Sequence, residues 1–365
     1  MKKILIVQVL IFISCSICVA QTYKELEAKG KDAYKAENYK EALVWYDKAV
    51  QKYPANSESW NNRGITYYFL GEQDKALSDI NKAIELHPDS SYYYVNRSKI
   101  YVKQDNVNAA LGDLTKYIAM QPAEKWGYYY RGRVFFGKNL YEKAIEDFTK
   151  FIELDQNSDF VSEVYNDRGL MFERTKQYDK AVADYNKSIE LKPKLPASYL
   201  NRGKIYSIKG DKENTLKDYN KAIEVDPNFA LAYSLRGVFY ASQGKNNEAI
   251  ADFTKALAIN PDDVSTLNNR AYTYTKLNMN DEAIKDVNRM LQIDPKNLQA
   301  YTIKGIAYFK KQQFDEVIKT CTEAIQIDPS GSIAYDLRSR AYRGKGMIAE
   351  AVKDETKLKE LSTGK

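Results

Sequence analysis

The chain has 365 residues, 28% of them charged, and its formal net charge is only +6. A balance so close to neutral, without a basic tract or an arginine-rich run, argues against nucleic acid as a partner. The length alone would suggest two or three globular domains, but an internal period replaces that expectation with one elongated array.

The first predicted element is a processing segment. Lys2 and Lys3 precede an apolar run from Ile4 to Ile17, followed by Cys18, Val19, Ala20 and Gln21. A short basic region, an apolar stretch and small residues at the −3 and −1 positions predict a secretory signal peptide over residues 1–20, cut after Ala20. Gln8 interrupts the run, which is too short for a membrane span. An alternative is lipoprotein processing with Cys15 as the acylated residue, although Phe12 stands where such motifs usually carry Leu. The expected location is therefore periplasmic or secreted, or membrane-anchored through Cys15. Losing Lys2 and Lys3 lowers the net charge from +6 to +4. Of three cysteines only Cys321 would survive, so no intramolecular disulfide is expected.

From here the chain repeats. Pro54, Pro88 and Pro122 are 34 residues apart, as are Pro193, Pro227, Pro261, Pro295 and Pro329. Pro122 and Pro193 are separated by two such periods plus three residues, and Pro196 alone lies off the comb. A fixed period of this size is the mark of a repeat array, in which each unit buries its apolar face against its neighbours. Ten residues after each comb proline, or its equivalent, comes a small residue: Gly30, Gly64, Ser98, Gly132, Gly169, Gly203, Gly237, Ala271, Gly305 and Ser339. Twelve residues later Ala recurs eight times, with Thr215 and Val317 as exceptions. Four residues beyond that stands a large residue, such as Tyr46, Ile80, Phe148, Tyr185, Tyr219 or Phe253. Small and large residues at helical spacing predict two interdigitating helices per unit.

The pattern resembles the tetratricopeptide repeat, a 34-residue helix–turn–helix unit. Repeat 2 reads Trp60, Arg63, Gly64, Tyr67, Ala76, Ile80, Ala83, Pro88, and repeat 7 reads Tyr233, Arg236, Gly237, Tyr240, Ala249, Phe253, Ala256, Pro261. The resemblance runs over about residues 23–361. It implies an all-α fold, a right-handed α-solenoid superhelix of about ten helix–turn–helix repeats. Repeats 1–4 would span 23–158, residues 159–161 would be an insertion, and repeats 5–10 would span 162–361. Gly71, Gly210, Gly244 and Gly346, with Asp105, Asn139 and Asn278, stand where each first helix must stop, in the left-handed conformation. Asp89, Ser90, Asp262, Asp263, Asn297 and Ser330 are expected N-caps.

Arg precedes the small residue in eight repeats, and in each the sixteenth residue onward is Asp: Arg63 with Asp79, through Arg338 with Asp354. Repeats 1 and 9 lack both members, with Lys29 and Trp45 in one and Lys304 and Thr320 in the other. Joint presence and joint loss predict a partly buried contact that stitches helices together.

No catalytic constellation is visible. His87 is the only histidine, beside Pro88 and without a sequence-local companion, and no Cys or His cluster has metal-ligand spacing. The expectation is a non-enzymatic chain without cofactor or metal. In the resembling family the first helices line a concave groove that binds protein or peptide, and its best-known ligand class is a peptide carboxylate clamped by Lys and Asn. This chain lacks the full clamp set, so carboxylate-tail binding is not expected. Repeats 2–4 instead place Tyr68, Phe69, Tyr92, Asn96, Lys99, Lys103, Trp126, Tyr129, Tyr130, Arg133 and Phe136 at groove positions. Aromatics with Arg and Asn are common interface anchors, so this patch is the expected partner site, for an extended peptide or a helix. The alternative is a glycan or cell-wall ligand stacked on the Tyr and Trp faces. Residues 155–161 lack a comb proline and are expected to alter the stacking there. At the far end Glu355, Lys357, Lys359 and Glu360 make the last helix polar, as a solenoid cap requires.

Overall fold

The computed structural model describes residues 22–156 and 158–363; the signal-peptide and Cys15 expectations lie outside the described residues. Two compact units divide between Leu191 and Lys192. In the first, α1 (22–35) and α2 (Tyr39–Lys52) form repeat 1. The pairs α3 (Ser57–Phe69) and α4 (Gln73–Leu86), α5 (Ser91–Lys103) and α6 (Val107–Met120), and α7 (Lys125–Gly137) and α8 (Tyr141–Leu154) follow, with α9 (Val161–Arg174) and α10 (Tyr178–Leu191) last. The second unit holds α11 (Pro196–Ile208), α12 (Lys212–Val225), α13 (Ala230–Ser242), α14 (Asn246–Ile259) and α15 (Val264–Lys276). It continues through α16 (Asn280–Ile293), α17 (Leu298–Lys310), α18 (Phe314–Ile327), α19 (Ser332–Gly344) and α20 (Ile348–Thr363). All ten predicted repeats are thus helix pairs, and the described residues contain no strand.

The comb proline acts as a stop. Where a second helix precedes one, the residue just before the proline is its C-cap, as Tyr53, His87, Gln121 and Asp294 are, because an α conformation is disfavoured just before proline. Pro196, the proline off the comb, fills the first turn of α11, where its missing N–H costs nothing. The first helix of all ten repeats ends on a left-handed residue. Four are Gly71, Gly210, Gly244 and Gly346; the others are Glu37, Asp105, Asn139, Lys176, Asn278 and Gln312, with φ between 54° and 60°. Glu37, Lys176 and Gln312 carry no sequence signal for that conformation. Capping differs from expectation at half the named positions. The N-cap is the second residue after the proline, as in Asn56, Ser90, Asp263 and Asn297. Asp89 and Asp262 fall one residue short of it, and Gly331 takes the place next to Ser330.

Inside each pair the small residue meets the large one sixteen positions on. A Cβ added at Gly30, Gly169, Gly203 or Gly237 would lie 2.6–2.8 Å from the ring of Tyr46, Tyr185, Tyr219 or Phe253. Where the small position already carries a Cβ, as in Ser98 and Ala271, the partner shrinks to Leu114 or Val287, both essentially buried. In these pairs a bulkier small residue is matched by a slimmer partner, which keeps the contact close. Cys321 fills the large position of repeat 9 and is buried, which pushes its thiol up to about 12.

The Arg–Asp stitch forms in all eight repeats. Arg63 Nε and Nη2 donate to Asp79 at 2.6 and 2.8 Å, and Arg131 to Asp147 at 2.9 and 2.8 Å. The third nitrogen reaches the second helix of the preceding repeat: Arg63 to Asp47, Arg97 to Asn81, Arg131 to Thr115, Arg236 to Asn220 and Arg270 to Thr254. The contact therefore serves within repeats and between them. Each guanidinium also lies over rings on its own helix, such as Tyr128 and Phe135 around Arg131 or Tyr233 and Tyr240 around Arg236. The ring three residues before the Arg bonds the comb proline's carbonyl, through Tyr94, Tyr128 and Tyr335 hydroxyls and Trp60 Nε1. Much of the chain's tyrosine is thus structural. In repeat 1, Lys29 Nζ sits 4.6 Å from the centre of the Trp45 ring, so a cation–π contact replaces the ion pair.

Candidate functional site

Repeats 2–4 bring ten of the eleven predicted site residues to one run of first helices, α3, α5 and α7, as surface or half-buried groups. Asn96 differs: it is 1% exposed, and its amide nitrogen donates to Asn61 Oδ1 at 2.9 Å, so it belongs to the packing between α3 and α5.

The consecutive tyrosines at 92–94 and 128–130 and their neighbours are mostly used by the fold. Tyr93 and Tyr94 are buried; the Tyr93 hydroxyl meets Ser57 at 2.9 Å, and the Tyr94 hydroxyl donates to the Pro88 carbonyl. Trp126 contacts Phe160 at 4.9 Å, Phe151 at 5.6 Å and Tyr129 at 5.9 Å between ring centroids. Tyr129 packs on Phe160 at 5.0 Å and on Phe148 and Phe151. Phe160 belongs to the three-residue insertion, whose last member, Val161, is fully buried as the first residue of α9. The insertion therefore supplies an aromatic lid to the repeat-4 core. Phe136 is half-buried against Tyr141.

Two predicted rings are open. Tyr92 is 60% exposed and Phe69 50% exposed, the latter stacked on Tyr39 at 4.9 Å. Lys103 lies over Tyr68, and Lys99 over Tyr130, each at 5.1 Å. Arg133 reaches Asp167 at 3.4 Å and the Tyr129 hydroxyl at 3.3 Å. Four of the predicted residues, Tyr68, Lys99, Tyr130 and Arg133, line an open cavity of about 340 Å³ between α3, α5 and α7. Its floor is Ser98 and Leu114, its walls include Tyr68 and Tyr130, and Lys99 points into it. Burial pushes the Lys99 ammonium below its ordinary range, with no opposing cause. The same effect raises the Tyr129 and Tyr130 hydroxyls. Sequence spacing located the residues but not the enclosure, which depends on how far successive first helices stand apart.

Among the described residues no helix is long and apolar enough to cross a membrane, and no group of three or more His, Cys, Asp or Glu is placed to hold a metal ion.

Comparison with known proteins gives a consistent answer. Family models described as tetratricopeptide repeat match residues 57–90, 95–159, 196–229, 230–263, 253–285 and 298–330, and one described as TPR repeat matches 169–210. No curated protein matches the chain. Among solved structures, a tetratricopeptide repeat protein from Parabacteroides merdae is 23% identical, covers 69% of this chain and 99% of its own, with a TM-score of 0.54. YrrB, described as a TPR protein with an unusual peptide-binding site, is 21% identical over 51% of this chain and 95% of its own, with a TM-score of 0.44. The type IV pilus biogenesis factor PilW is 19% identical over 54% of this chain and 92% of its own, at 0.48. The first of these supports the fold alone, and the other two are too distant to bear on it. With the period, the helix pairs and the matches in agreement over more than half of its length, the chain belongs to the tetratricopeptide-repeat family, whose build is that of a protein–protein interaction scaffold.

Proposed function

We propose that this scaffold is exported to the cell envelope and holds an extended peptide or a helix of a partner protein along α3, α5 and α7. The observation that carries the reading is an open cavity lined by α3, α5 and α7, two of which also carry an exposed ring, Phe69 on α3 and Tyr92 on α5. Apolar surface of this kind, edged with cations, is costly to leave in water and is seldom idle. The family's non-enzymatic character favours holding over turnover. The processing pattern of residues 1–20 supports export; N-terminal mass analysis of the protein from cells should find a chain starting at Gln21, and a lipid-modified Cys15 would shift the location to a membrane anchor.

The direct test is crosslinking capture from envelope extract, comparing the wild type with Phe69→Ser/Tyr92→Ser. Both rings are at least half exposed, so the variant should stay folded, with a melt lowered only by the loss of the Phe69–Tyr39 stack. Trp126 and Tyr129 are unsuitable for this purpose, since both half-buried rings pack on the repeat-4 core and truncating either would cost up to about 3 kcal/mol. A protein captured by the wild type and lost in the variant is the expected result. Equal capture by both would move the site elsewhere, and capture of cell-wall material without protein would favour a glycan ligand.

A further inference from the structure

The cavity between α3, α5 and α7 contains a charge without a counter-charge. At the residue after the small position, other repeats pair their cation: Lys31 with Glu58 at 2.9 Å, Arg133 with Asp167 at 3.4 Å and Arg340 with Asp336 at 3.5 Å. Lys99 stands at the same register, and among the described residues its Nζ makes no hydrogen bond or ion pair; its charge meets only the Tyr130 ring at 5.1 Å. The sequence explains why. The carboxylate that serves Arg133 is Asp167, and one repeat earlier its place is held by Tyr130. A ring has replaced the acid, so the ammonium faces a wall that cannot neutralise it. Nearby charges do not make up the deficit. Asp105, on the cavity's rim, is bound by Lys138 at 3.0 Å, and Asp167 is held by Arg133. The lining as a whole carries Lys99, Arg133 and Lys138 against Asp105 alone.

We propose that this cavity is a receptor for one acidic side chain of the partner, its carboxylate accepting from Lys99 Nζ and its alkyl stem lying between Tyr68 and Tyr130. The shape suits that occupant. A long carboxylic side chain has an apolar stem for the ring faces and for Val102 and Val134, which also line the cavity. Its carboxylate completes a charge-assisted bond in a partly dry site, where such bonds are strongest. Burial that disfavours the lone ammonium is repaid only when the acid arrives, so the site selects for it. Specificity comes from one cation in an aromatic slot rather than from a set of polar residues gripping a chain terminus. The inference rests on the reading of this face as a peptide-binding surface.

The experiment is selection of a display library of random linear peptides on the full chain, repeated with Lys99→Met and Lys99→Arg. The wild type should enrich peptides sharing one fixed Glu or Asp. Lys99→Met should bind them about tenfold or more weakly, the loss expected for one charge-assisted bond, and Lys99→Arg should largely restore binding. Lys99→Met should also melt no lower than the wild type, because it removes a desolvated charge; a lower melting temperature would assign Lys99 to the fold and overturn the receptor. Peptides lost by Phe69→Ser/Tyr92→Ser but lacking a fixed acid, or acidic peptides indifferent to Lys99→Met, overturn the acid pocket and leave peptide binding standing. If no peptide is enriched, or if soluble peptidoglycan fragments bind instead, both readings fall together.

Discussion

At the scale of single residues, the Arg–Asp stitch shows how burial and charge are traded. The Asp147 side chain is 5% exposed and that of Arg131 is 20% exposed. Removing the arginine therefore strands the more deeply buried charge. Arg131→Ala should cost about 3–5 kcal/mol, and Asp147→Ala somewhat less, because the guanidinium keeps water and two rings. Burial already pushes the Asp147 carboxyl above its ordinary range, against the lowering effect of Arg131. Without the arginine the rise is larger. A carboxyl with a raised folded-state pKa binds its proton more tightly in the folded chain, so its contribution is most favourable at low pH and fades as pH rises through that pKa. The gap between Arg131→Ala and the wild type should consequently narrow as pH falls through the carboxylate range. Thermal melts of both variants across pH measure this, and a gap independent of pH would contradict a stranded Asp147.

At the scale of the element, all ten first helices end in a left-handed residue, although only four of those residues are glycine. The conformation is imposed by the turn into the second helix and not by local preference. Glu37, Lys176 and Gln312 sit there at a cost of about 1 kcal/mol each relative to glycine. Gln312→Gly should accordingly stabilise the chain by about 0.5–1 kcal/mol, offset in part by the glycine's freedom when unfolded. Gly244→Ala should destabilise by about 1 kcal/mol, although nothing lies within 4 Å of the added Cβ, since the penalty is in the backbone. Chemical denaturation of the two variants should shift in opposite directions; shifts of the same sign would show that these turns are not held in the left-handed form. The Asn and Asp residues at such positions were legible in the sequence because their side chains tolerate this conformation. Glu, Lys and Gln carry no comparable signal.

At the scale of the molecule, each repeat touches chiefly its neighbours, so stability is a sum of repeat and interface contributions and a block of repeats can stand alone. The described residues up to Leu191 form one compact unit, and it contains the cavity, Tyr92 and Phe69. A fragment spanning residues 22–191 should fold cooperatively, with helical circular dichroism and a sigmoidal melt, and should retain the capture activity of the full chain. A fragment that is folded but captures nothing would place an essential part of the site in the second unit. The second unit ends on α20, where Glu355 takes the place of a large apolar residue and accepts two bonds from Arg343, at 2.7 and 2.9 Å.

The sequence by itself determined the repeat, the helix pairing, the stop at each comb proline and the Arg–Asp contact. All of these depend on residues at fixed short separations, where helix geometry leaves little freedom. The tertiary structure alone decided which aromatic residues remain available. Tyr92 and Tyr94 are two residues apart and alike in type, yet one is open to solvent and the other bonds a proline carbonyl. Trp126 and Tyr129 are likewise drawn half-buried onto the repeat-4 core by Phe160, and Lys99 is a charge without a partner because Tyr130 stands where the following repeat carries an acid. Exposure and pairing depend on the distance between successive helices, and that distance is set by the packing of side chains from several repeats together.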